Sequence, residues 1–280
     1  MQLDAEEIKR IITMSLAEDI GKGDITSKLT IPKDKQTKFI IRAREDMVVC
    51  GIEIAKEVFK TLSQEIELTS EFADGDYIKE NDIILKGEGN AIKILEAERV
   101  ALNLLRQMCG VATLTNKFVE KTNGTKATIL DTRKTIPGLR SIQKYAVTKG
   151  GGTNHRFCLD DAILIKDNHI SVCGSVTRAL EKAKKDRPEG MRIQVECDTI
   201  SQVEEALVSG ADIILLDNMD NKTLKLAVDI TNNKIPLEAS GNVNLDTVQD
   251  IAKTGVDYIS IGAITNSPIS LDIGLDMDFN

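Results

Sequence analysis

The 280-residue sequence has no tryptophan, two histidines and only 3% aromatic residues. Leucine, isoleucine, valine and alanine must therefore build the core, and a chain of this length can bury a substantial one. No window approaches the roughly 18 apolar residues of a membrane-spanning helix, and the chain does not begin with a basic segment followed by an apolar run. We therefore expect neither a membrane partner nor a secretory signal.

The cysteines are odd in number, scattered and never spaced as CxxC; they are Cys50, Cys109, Cys158, Cys173 and Cys197. The two histidines, His155 and His169, are too few for a metal cluster of cysteine and histidine. This pattern predicts reduced thiols in a cytoplasmic protein. The formal net charge of -8 argues against a nucleic-acid partner, which favours a basic protein.

The first 110 residues read as an α+β unit. Helical spacing of isoleucine and leucine near the start is followed by β-branched clusters in residues 38–51. Residues 76–89 predict a pair of strands joined by a turn at 80–82. A long amphipathic helix begins near residue 91, and the sequence predicts that Gly110 interrupts it.

From about residue 127, six short apolar runs alternate with helical segments. This alternation predicts a parallel sheet buried on both faces. A β/α barrel, complete or incomplete, fits six such units better than a doubly wound sheet, which stays open as the alternative. No GxGxxG follows the first strand, so a dinucleotide-binding fold loses support. The predicted domains are 1–110 and 111–265, with the tail 266–280 packing back on the first.

Each apolar run ends in a charged, hydroxyl-bearing or glycine residue. The tips are Asp131 with Arg133 and Lys134; Lys166; Glu196; Asp217; Ser240, Gly241 and Asn242; and Gly262 with Ala263. Polar residues are expected at any one strand end, but all six together point to a site. In β/α barrels the active site lies at these carboxyl ends, and phosphate commonly binds near the last strands.

The segment DTRKTIPGLR, residues 131–140, belongs to a strongly basic stretch of an acidic chain. Residues 131–156 hold six lysines and arginines and one acid, a local charge of about +5. Arginine binds carboxylate or phosphate with two hydrogen bonds, and lysine adds a compact charge. Glu196 and Asp217 suit a Mg²⁺ ion shared with phosphate, or a cationic sugar in a glycosyl-transfer transition state. The set predicts a phosphorylated sugar and an acidic co-substrate.

Several longer motifs resemble one known family. They are AEDIGKGDITS (17–27), EAERVALNLLRQMCGVAT (96–113), LDTRKTIPGLRSIQKYAVTKGGGTNHR (130–156), LIKDNH (164–169), EASGNV (238–243) and IGAIT (261–265). In this order they resemble nicotinate-nucleotide pyrophosphorylase (carboxylating), or quinolinate phosphoribosyltransferase.

The resemblance implies an α/β fold with an N-terminal α+β sandwich domain and a partial α/β barrel, like type II phosphoribosyltransferases. It implies a homodimer, with further assembly left open, whose active sites are shared between subunits. The implied reaction joins quinolinate and phosphoribosyl pyrophosphate to give nicotinate mononucleotide, pyrophosphate and CO₂ in de novo NAD biosynthesis. It uses Mg²⁺ and no organic cofactor.

The family roles carry over by motif. Arg99 would reach the partner subunit's site. Lys134, Lys166, Glu196 and Asp217 would be the catalytic residues, and Glu196 and Asp217 would also bind ribose hydroxyls or Mg²⁺. The other substrate contacts would be Thr132, Arg133 and Lys134 in the anion pocket; His155 and Arg156 at the quinolinate carboxylates; Lys166 at substrate anions; and Ser240, Gly241, Asn242, Ile261, Gly262 and Ala263, most of them around the 5′-phosphate.

Two departures and two alternatives accompany the resemblance. Asn266 stands where the family commonly has histidine, which leaves one phosphate contact open, and Cys109 replaces a usual serine. A paralogue with another substrate, such as the molybdenum-transport-associated homologues, shares the fold, but the full TRKT, HR and KDNH set argues against it. A catalytically silent anion-binding protein is the other alternative. Glu196 and Asp217 argue against it, because acids in the pocket would weaken simple anion binding.

Overall fold

A computed structural model describes residues 3–277. The first two residues of the predicted domain 1–110 and the last three of the tail 266–280 lie outside the described residues. Contacts divide the chain into two compact units. One contains the N-terminal residues through Asn116, Thr135–Gly151 and the residues from Thr265 onward; the other contains Lys117–Lys134 and Gly152–Ile264. The predicted boundaries near 110 and 265 stay a prediction.

The described residues form helices and strands that we number in chain order. The helices are α1 Ala5–Ile20, α2 Ile25–Thr30, α3 Ile52–Leu62, α4 Ala91–Lys121, α5 Arg140–Lys149, α6 Asp167–Cys173, α7 Val176–Asp186, α8 Ile200–Val208, α9 Asn221–Thr231, α10 Val248–Lys253 and α11 Ala263–Asn266. The strands are β1 Gln36–Ala43, β2 Met47–Val48, β3 Glu67–Thr69, β4 Tyr77–Ile78, β5 Ile83–Asn90, β6 Thr128–Leu130, β7 Ile163–Ile165, β8 Ile193–Cys197, β9 Ile213–Asp217, β10 Leu237–Ser240, β11 Tyr258–Ser260 and β12 Ile273–Met277.

The N-terminal unit is built on an antiparallel sheet with strand order β12-β1-β5-β3. Side chains alternate along β1, so that Phe39 and Ile41 are buried while Lys38 faces solvent. Helix α3 packs its apolar face on this sheet, and the ring centroids of Phe39 and Phe59 lie 4.9 Å apart. The last described strand, β12, pairs with β1 and so joins the C-terminal tail to the first unit.

Strands β4 and β5 do not pair with each other, so the predicted strand pair in residues 76–89 is wrong. β4 pairs with β2, whereas β5 pairs with β1 and β3. The turn between them is held by other parts of the unit. Asn81 N–H donates to the carbonyl of Ala43 at 2.8 Å, and Glu80 N–H donates to Asp46 Oδ1 at 2.9 Å. Because these hydrogen bonds hold the turn against Ala43 and Asp46, β4 and β5 pair with different strands.

Helix α4 is continuous through Gly110, so the predicted interruption is also wrong. A methyl group at this position would overlap the carbonyl oxygen of Ile269. Gly110 therefore permits a close approach of the C-terminal segment to the helix. Glycine inside a helix lowers its stability by about 1 kcal/mol relative to alanine, and the packing of α4 against the rest of the unit offsets that loss.

The C-terminal unit is a six-stranded parallel sheet with strand order β6-β11-β10-β9-β8-β7. This order follows the chain cyclically, as in a barrel, and leaves β6 and β7 unpaired with each other. The prediction of a partial α/β barrel is confirmed, and the doubly wound alternative is excluded. All six carboxyl ends lie at one edge, where the sequence placed the site.

Candidate active site

A cavity of about 370 Å³ lies at the carboxyl ends of the parallel strands. Its volume falls in the range of small-molecule sites. The lining residues, all from the C-terminal unit, are Thr132, Arg133, Lys134, His155, Arg156, Leu164, Lys166, Glu196, Leu215, Asp217, Glu238, Ser240 and Ser260. The structure therefore brings together nine of the residues that the sequence singled out.

A buried acid directly after β6 holds the basic segments of the cavity together. Asp131 is 0% exposed. Its Oδ1 accepts the N–H of His155 at 2.9 Å, and its Oδ2 accepts Nδ2 of Asn154 at 2.6 Å. The carboxylate thus fixes the segment that carries His155 and Arg156 beside the one that carries Arg133.

Two arginines share this side of the cavity. Burial chiefly, and then the charge of Arg133, lower the pKa of Arg156. Nη1 of Arg156 donates to the carbonyl of Ala162 at 3.0 Å, which sets the direction of the guanidinium. Two neighbouring, partly desolvated cations favour an anion with more than one charge.

The acidic side of the cavity comes from β8 and β9. Nζ of Lys166 lies 2.6 Å from Oε2 of Glu196, whose side chain is 9% exposed. Burial, followed by the charges of Glu196 and Asp198, raises the pKa of Asp217. A divalent cation bound by these two carboxylates would offset the repulsion that raises the pKa of Asp217.

The donor set fits Mg²⁺ only as a shared ion. Among the described residues, no group of three His, Cys, Asp or Glu side chains could hold a metal alone. Mg²⁺ usually takes one or two carboxylates and completes its shell with water and substrate phosphate. Glu196 and Asp217 match that requirement, and we keep them as the candidate metal ligands.

The loops after β10 and β11 supply small residues and main-chain groups. Gly241 has φ +92°, and a side chain there would overlap Asn218. Nδ2 of Asn242 donates to Oδ1 of Asn218 at 3.0 Å. After β11, Ile261 N–H donates to Leu130 at 3.0 Å, which places Gly262 and Ala263 directly past the sheet edge. Ser240 lines the cavity itself, whereas the lining does not include the other members of these two loops.

Sequence reasoning named Asp131 but missed its role as a buried support. It missed four residues of the lining altogether, namely Leu164, Leu215, Glu238 and Ser260. A signal was present, because alternate residues of a strand share a face. Glu238 lies two residues before Ser240, and Leu215 lies two before Asp217. Each missed lining residue precedes by two positions a strand tip that the sequence identified, and so lies on the same face of the strand.

Arg99 and a second cavity belong to the N-terminal unit. Arg99 lies on α4 with a side chain 54% exposed, 4.0 Å from Glu98. The second cavity, about 540 Å³, lies on the N-terminal sheet. Its lining has two lysines against three acids, and Lys38 lies 3.7 Å from Glu88, so it lacks the convergent cations of the first. We therefore assign the chemistry to the C-terminal cavity.

An open α/β barrel with opposed basic and acidic groups at its strand ends defines an enzyme class that acts on anionic substrates. Family models match both parts of the chain: the quinolinate phosphoribosyl transferase N-terminal domain over residues 24–109 and its C-terminal domain over residues 111–276. The chain belongs to the quinolinate phosphoribosyltransferase family.

Relatives and solved structures agree with this assignment. The chain is 40% identical over 271 residues to a probable nicotinate-nucleotide pyrophosphorylase (carboxylating) of Bacillus subtilis (strain 168), covering 97% of this chain and 93% of the relative. It is similar to the crystal structure of nicotinate-nucleotide pyrophosphorylase from Ehrlichia chaffeensis, with a TM-score of 0.94, 46% identity and coverage of 99% and 100%. The Francisella tularensis enzyme gives a TM-score of 0.95 at 41% identity, with coverage of 99% and 98%. Within residues 3–277, none of the helices has the length and apolarity to cross a membrane.

Proposed function

We propose that this chain is the decarboxylating quinolinate phosphoribosyltransferase of de novo NAD biosynthesis. It converts quinolinate and phosphoribosyl pyrophosphate to nicotinate mononucleotide, pyrophosphate and CO₂. The observation that supports this most is the lining of the C-terminal cavity, in which four lysines and arginines face Glu196 and Asp217. Both substrates are polyanions, and one of them reacts at a sugar carbon that becomes cationic.

The two sides of the cavity suit the two substrates. Arg133 and Arg156 bind the adjacent carboxylates of quinolinate, since arginine matches carboxylate geometry. Lys134 and Lys166 bind the phosphate and pyrophosphate charges. Glu196 and Asp217 bind ribose hydroxyls or share Mg²⁺ with the pyrophosphate. Ser240 and the loops that contain Gly241, Asn242, Ile261, Gly262 and Ala263 hold the 5′-phosphate.

The chemistry needs no organic cofactor. The lone pair of the quinolinate ring nitrogen forms a bond to the anomeric carbon, while the bond from that carbon to pyrophosphate breaks and its electrons leave with pyrophosphate. Carboxylates near the ribose stabilise the positive charge that develops on the sugar. The ribosylated ring is then a pyridinium. It takes up the electrons of the breaking bond to the 2-carboxylate as CO₂ departs, and a proton replaces the carboxylate.

Mg²⁺ bound at Glu196 and Asp217 would neutralise pyrophosphate charge as the leaving group departs. Among the protein's own groups, Nζ of Lys166 donates to Oε2 of Glu196 and holds this carboxylate at the cavity wall. Lys166 thereby contributes a positive charge beside the metal ligands and orients one of them.

A homodimer with shared active sites is part of the same proposal. Arg99 has an exposed side chain on a helix, which suits a residue that enters a partner's site. Asn266, exposed at the end of α11, can donate a hydrogen bond to phosphate in place of the usual histidine. The cytoplasm is the proposed location, as the free cysteines of the described chain support.

The test is direct conversion. Purified protein incubated with quinolinate, phosphoribosyl pyrophosphate and Mg²⁺ should yield nicotinate mononucleotide, pyrophosphate and CO₂ in equal amounts, measured by mass spectrometry and pyrophosphate release. Omission of either substrate is the control. Absence of nicotinate mononucleotide under these conditions would refute the proposal, and a different product would favour the paralogue reading.

A further inference from the structure

The imidazole of His155 makes protein contacts through both ring nitrogens. Nδ1 accepts the main-chain N–H of Arg156 at 2.7 Å. Nε2 lies 3.3 Å from Oε2 of Glu238, and the two side chains are 13% and 3% exposed. A nitrogen that accepts an N–H cannot carry a proton of its own. The proton of this imidazole must therefore lie on Nε2, where the Glu238 carboxylate accepts it.

Glu238 is a buried acid that the proposed reaction has not used. It lies on β10, and its Oε2 also accepts Nε2 of Gln194 at 2.8 Å. Burial alone would raise the pKa of Glu238, but the contact with His155 and hydrogen bonds from Ser260 and Gln194 outweigh burial and lower it. The network therefore favours an ionised carboxylate beneath the imidazole.

Arg156 is held at two points by these contacts. Its main-chain N–H donates to His155, and its guanidinium donates to the carbonyl of Ala162 at 3.0 Å. A protonated imidazole would set a second N–H against the main-chain N–H of Arg156 and push that residue away. The placement of the guanidinium thus depends on which nitrogen of His155 carries the proton.

We propose that Glu238 is a positioning residue that holds the proton of His155 on Nε2, so that Nδ1 accepts the main-chain N–H of Arg156 and fixes that residue for carboxylate binding. The guanidinium of Arg156 is then offered to the acidic co-substrate in a fixed position. This inference rests on the proposed function for the identity of that co-substrate. Its structural part, the tautomer, does not.

The first test is nitrogen-15 NMR of the imidazoles in the wild-type protein, with and without quinolinate. The chain has only two histidines, so one His169→Gln variant assigns both. His169 is an internal reference, because its Nδ1 likewise accepts a main-chain N–H, from Lys166 at 2.9 Å, while its side chain is exposed. We expect His155 to show a protonated Nε2 and an unprotonated Nδ1 in both states. A protonated Nδ1 in either state would overturn the proposal.

The second test compares Glu238→Leu with Glu238→Gln. Leucine removes the acceptor, so the His155 signals should shift toward a mixture of tautomers. The KM for quinolinate should rise on the order of 10- to 100-fold, as a displaced binding group predicts, while the KM for phosphoribosyl pyrophosphate changes much less. Glutamine keeps an oxygen for the Nε2 proton, so it should retain the tautomer and lose far less quinolinate affinity.

The outcomes separate the inference from the proposed function. Equal damage in both variants with an unchanged tautomer would mean that the Glu238 charge acts on the substrate, and the positioning role would be wrong. If leucine prevents folding, the glutamine variant and the wild-type spectra still decide. If the wild-type protein does not convert quinolinate, the proposed function fails, whereas the tautomer is still measured in the resting protein.

Discussion

At the scale of single residues, selectivity depends on charges that are close together and partly removed from water. Arg156 has a lowered pKa because of burial and of Arg133 nearby. A dianion with adjacent carboxylates can bind both guanidinium groups at once, whereas a monoanion can bind only one of them. Leaving a desolvated polar group unpaired costs about 1–3 kcal/mol, and more for a charged group.

Nicotinate, which lacks the 2-carboxylate, should therefore be a very poor substrate. We expect its kcat/KM to fall at least roughly 10- to 100-fold below that of quinolinate, and up to about 10⁴-fold. Arg156→Ala should reduce quinolinate use steeply and shrink the ratio between the two acids, because the guanidinium that binds the additional carboxylate is gone. The measurement is kcat/KM for both acids in both proteins, with Arg192→Ala, an exposed arginine, as the control. Equal use of the two acids by wild type would refute the dicarboxylate pocket.

The acidic pair leads to a second prediction at this scale. Glu196→Gln and Asp217→Asn keep the shape of each side chain and remove its charge. We expect the KM for phosphoribosyl pyrophosphate and the Mg²⁺ concentration for half-maximal rate to rise about 10- to 100-fold, the value of a charge-assisted contact. Thermal stability should change little. Glu204→Gln is the matched control, since Glu204 is an exposed acid on α8 outside the lining. Full activity in excess chelator would remove the metal assignment.

The sequence could predict a site residue where that residue stands at the end of a strand, but not where it lies inside one. Lys166, Glu196, Asp217 and Ser240 stand at the ends of apolar runs, where a change of residue type is visible. Glu238 lies inside β10 as a single acid, and its contact with His155 joins residues 83 positions apart in the chain. Such a contact depends on sheet order and register, which no local pattern contains.

At the scale of elements, periodicity predicted the helices and the parallel strands. It did not predict which strands β4 and β5 pair with, or that α4 continues through Gly110. The β4–β5 turn looked like a hairpin because only short-range signals were considered, yet its donors are used by Ala43 and Asp46. Gly110 looked like a helix break for the same reason. Glycine serves either as a break or as a site of close approach, and only the neighbouring chain decides which.

Gly110→Ala tests that explanation. Alanine is the better helix former by about 1 kcal/mol. If no other part of the chain lay close to Gly110, this substitution would therefore stabilise the protein. The overlap with the Ile269 carbonyl instead predicts a loss of about 1–3 kcal/mol, as in other overpacked sites. The melting temperature should fall by several degrees. Lys117→Ala, at an exposed position of the same helix, is the control and should change little. A higher melting temperature for Gly110→Ala would contradict the close-approach reading.

At the scale of the whole molecule, charge is separated by function. The chain has a net charge of -8, yet residues 131–156 carry about +5. The negative net charge favours solubility. Three of the six cations in this segment, Arg133, Lys134 and Arg156, line the cavity, where they attract polyanionic substrates. In the proposed dimer, Arg99 of each subunit would add one more cation to the other's site, so that neither subunit alone holds the full set.

Subunit mixing tests this shared site. Arg99→Ala and Lys134→Ala should each be nearly inactive. If Arg99 acts in trans, a hybrid dimer has one site that lacks both side chains and one that keeps both. Random exchange between equal amounts should then restore about a quarter of wild-type activity, because half of the dimers are hybrids with one intact site. Mixing Arg133→Ala with Lys134→Ala is the matched control. Both residues line the same cavity, so every hybrid site lacks one of them and activity should stay low. Subunit exchange is confirmed by native mass spectrometry, and no recovery in the first mixture would mean that Arg99 does not serve the partner's site.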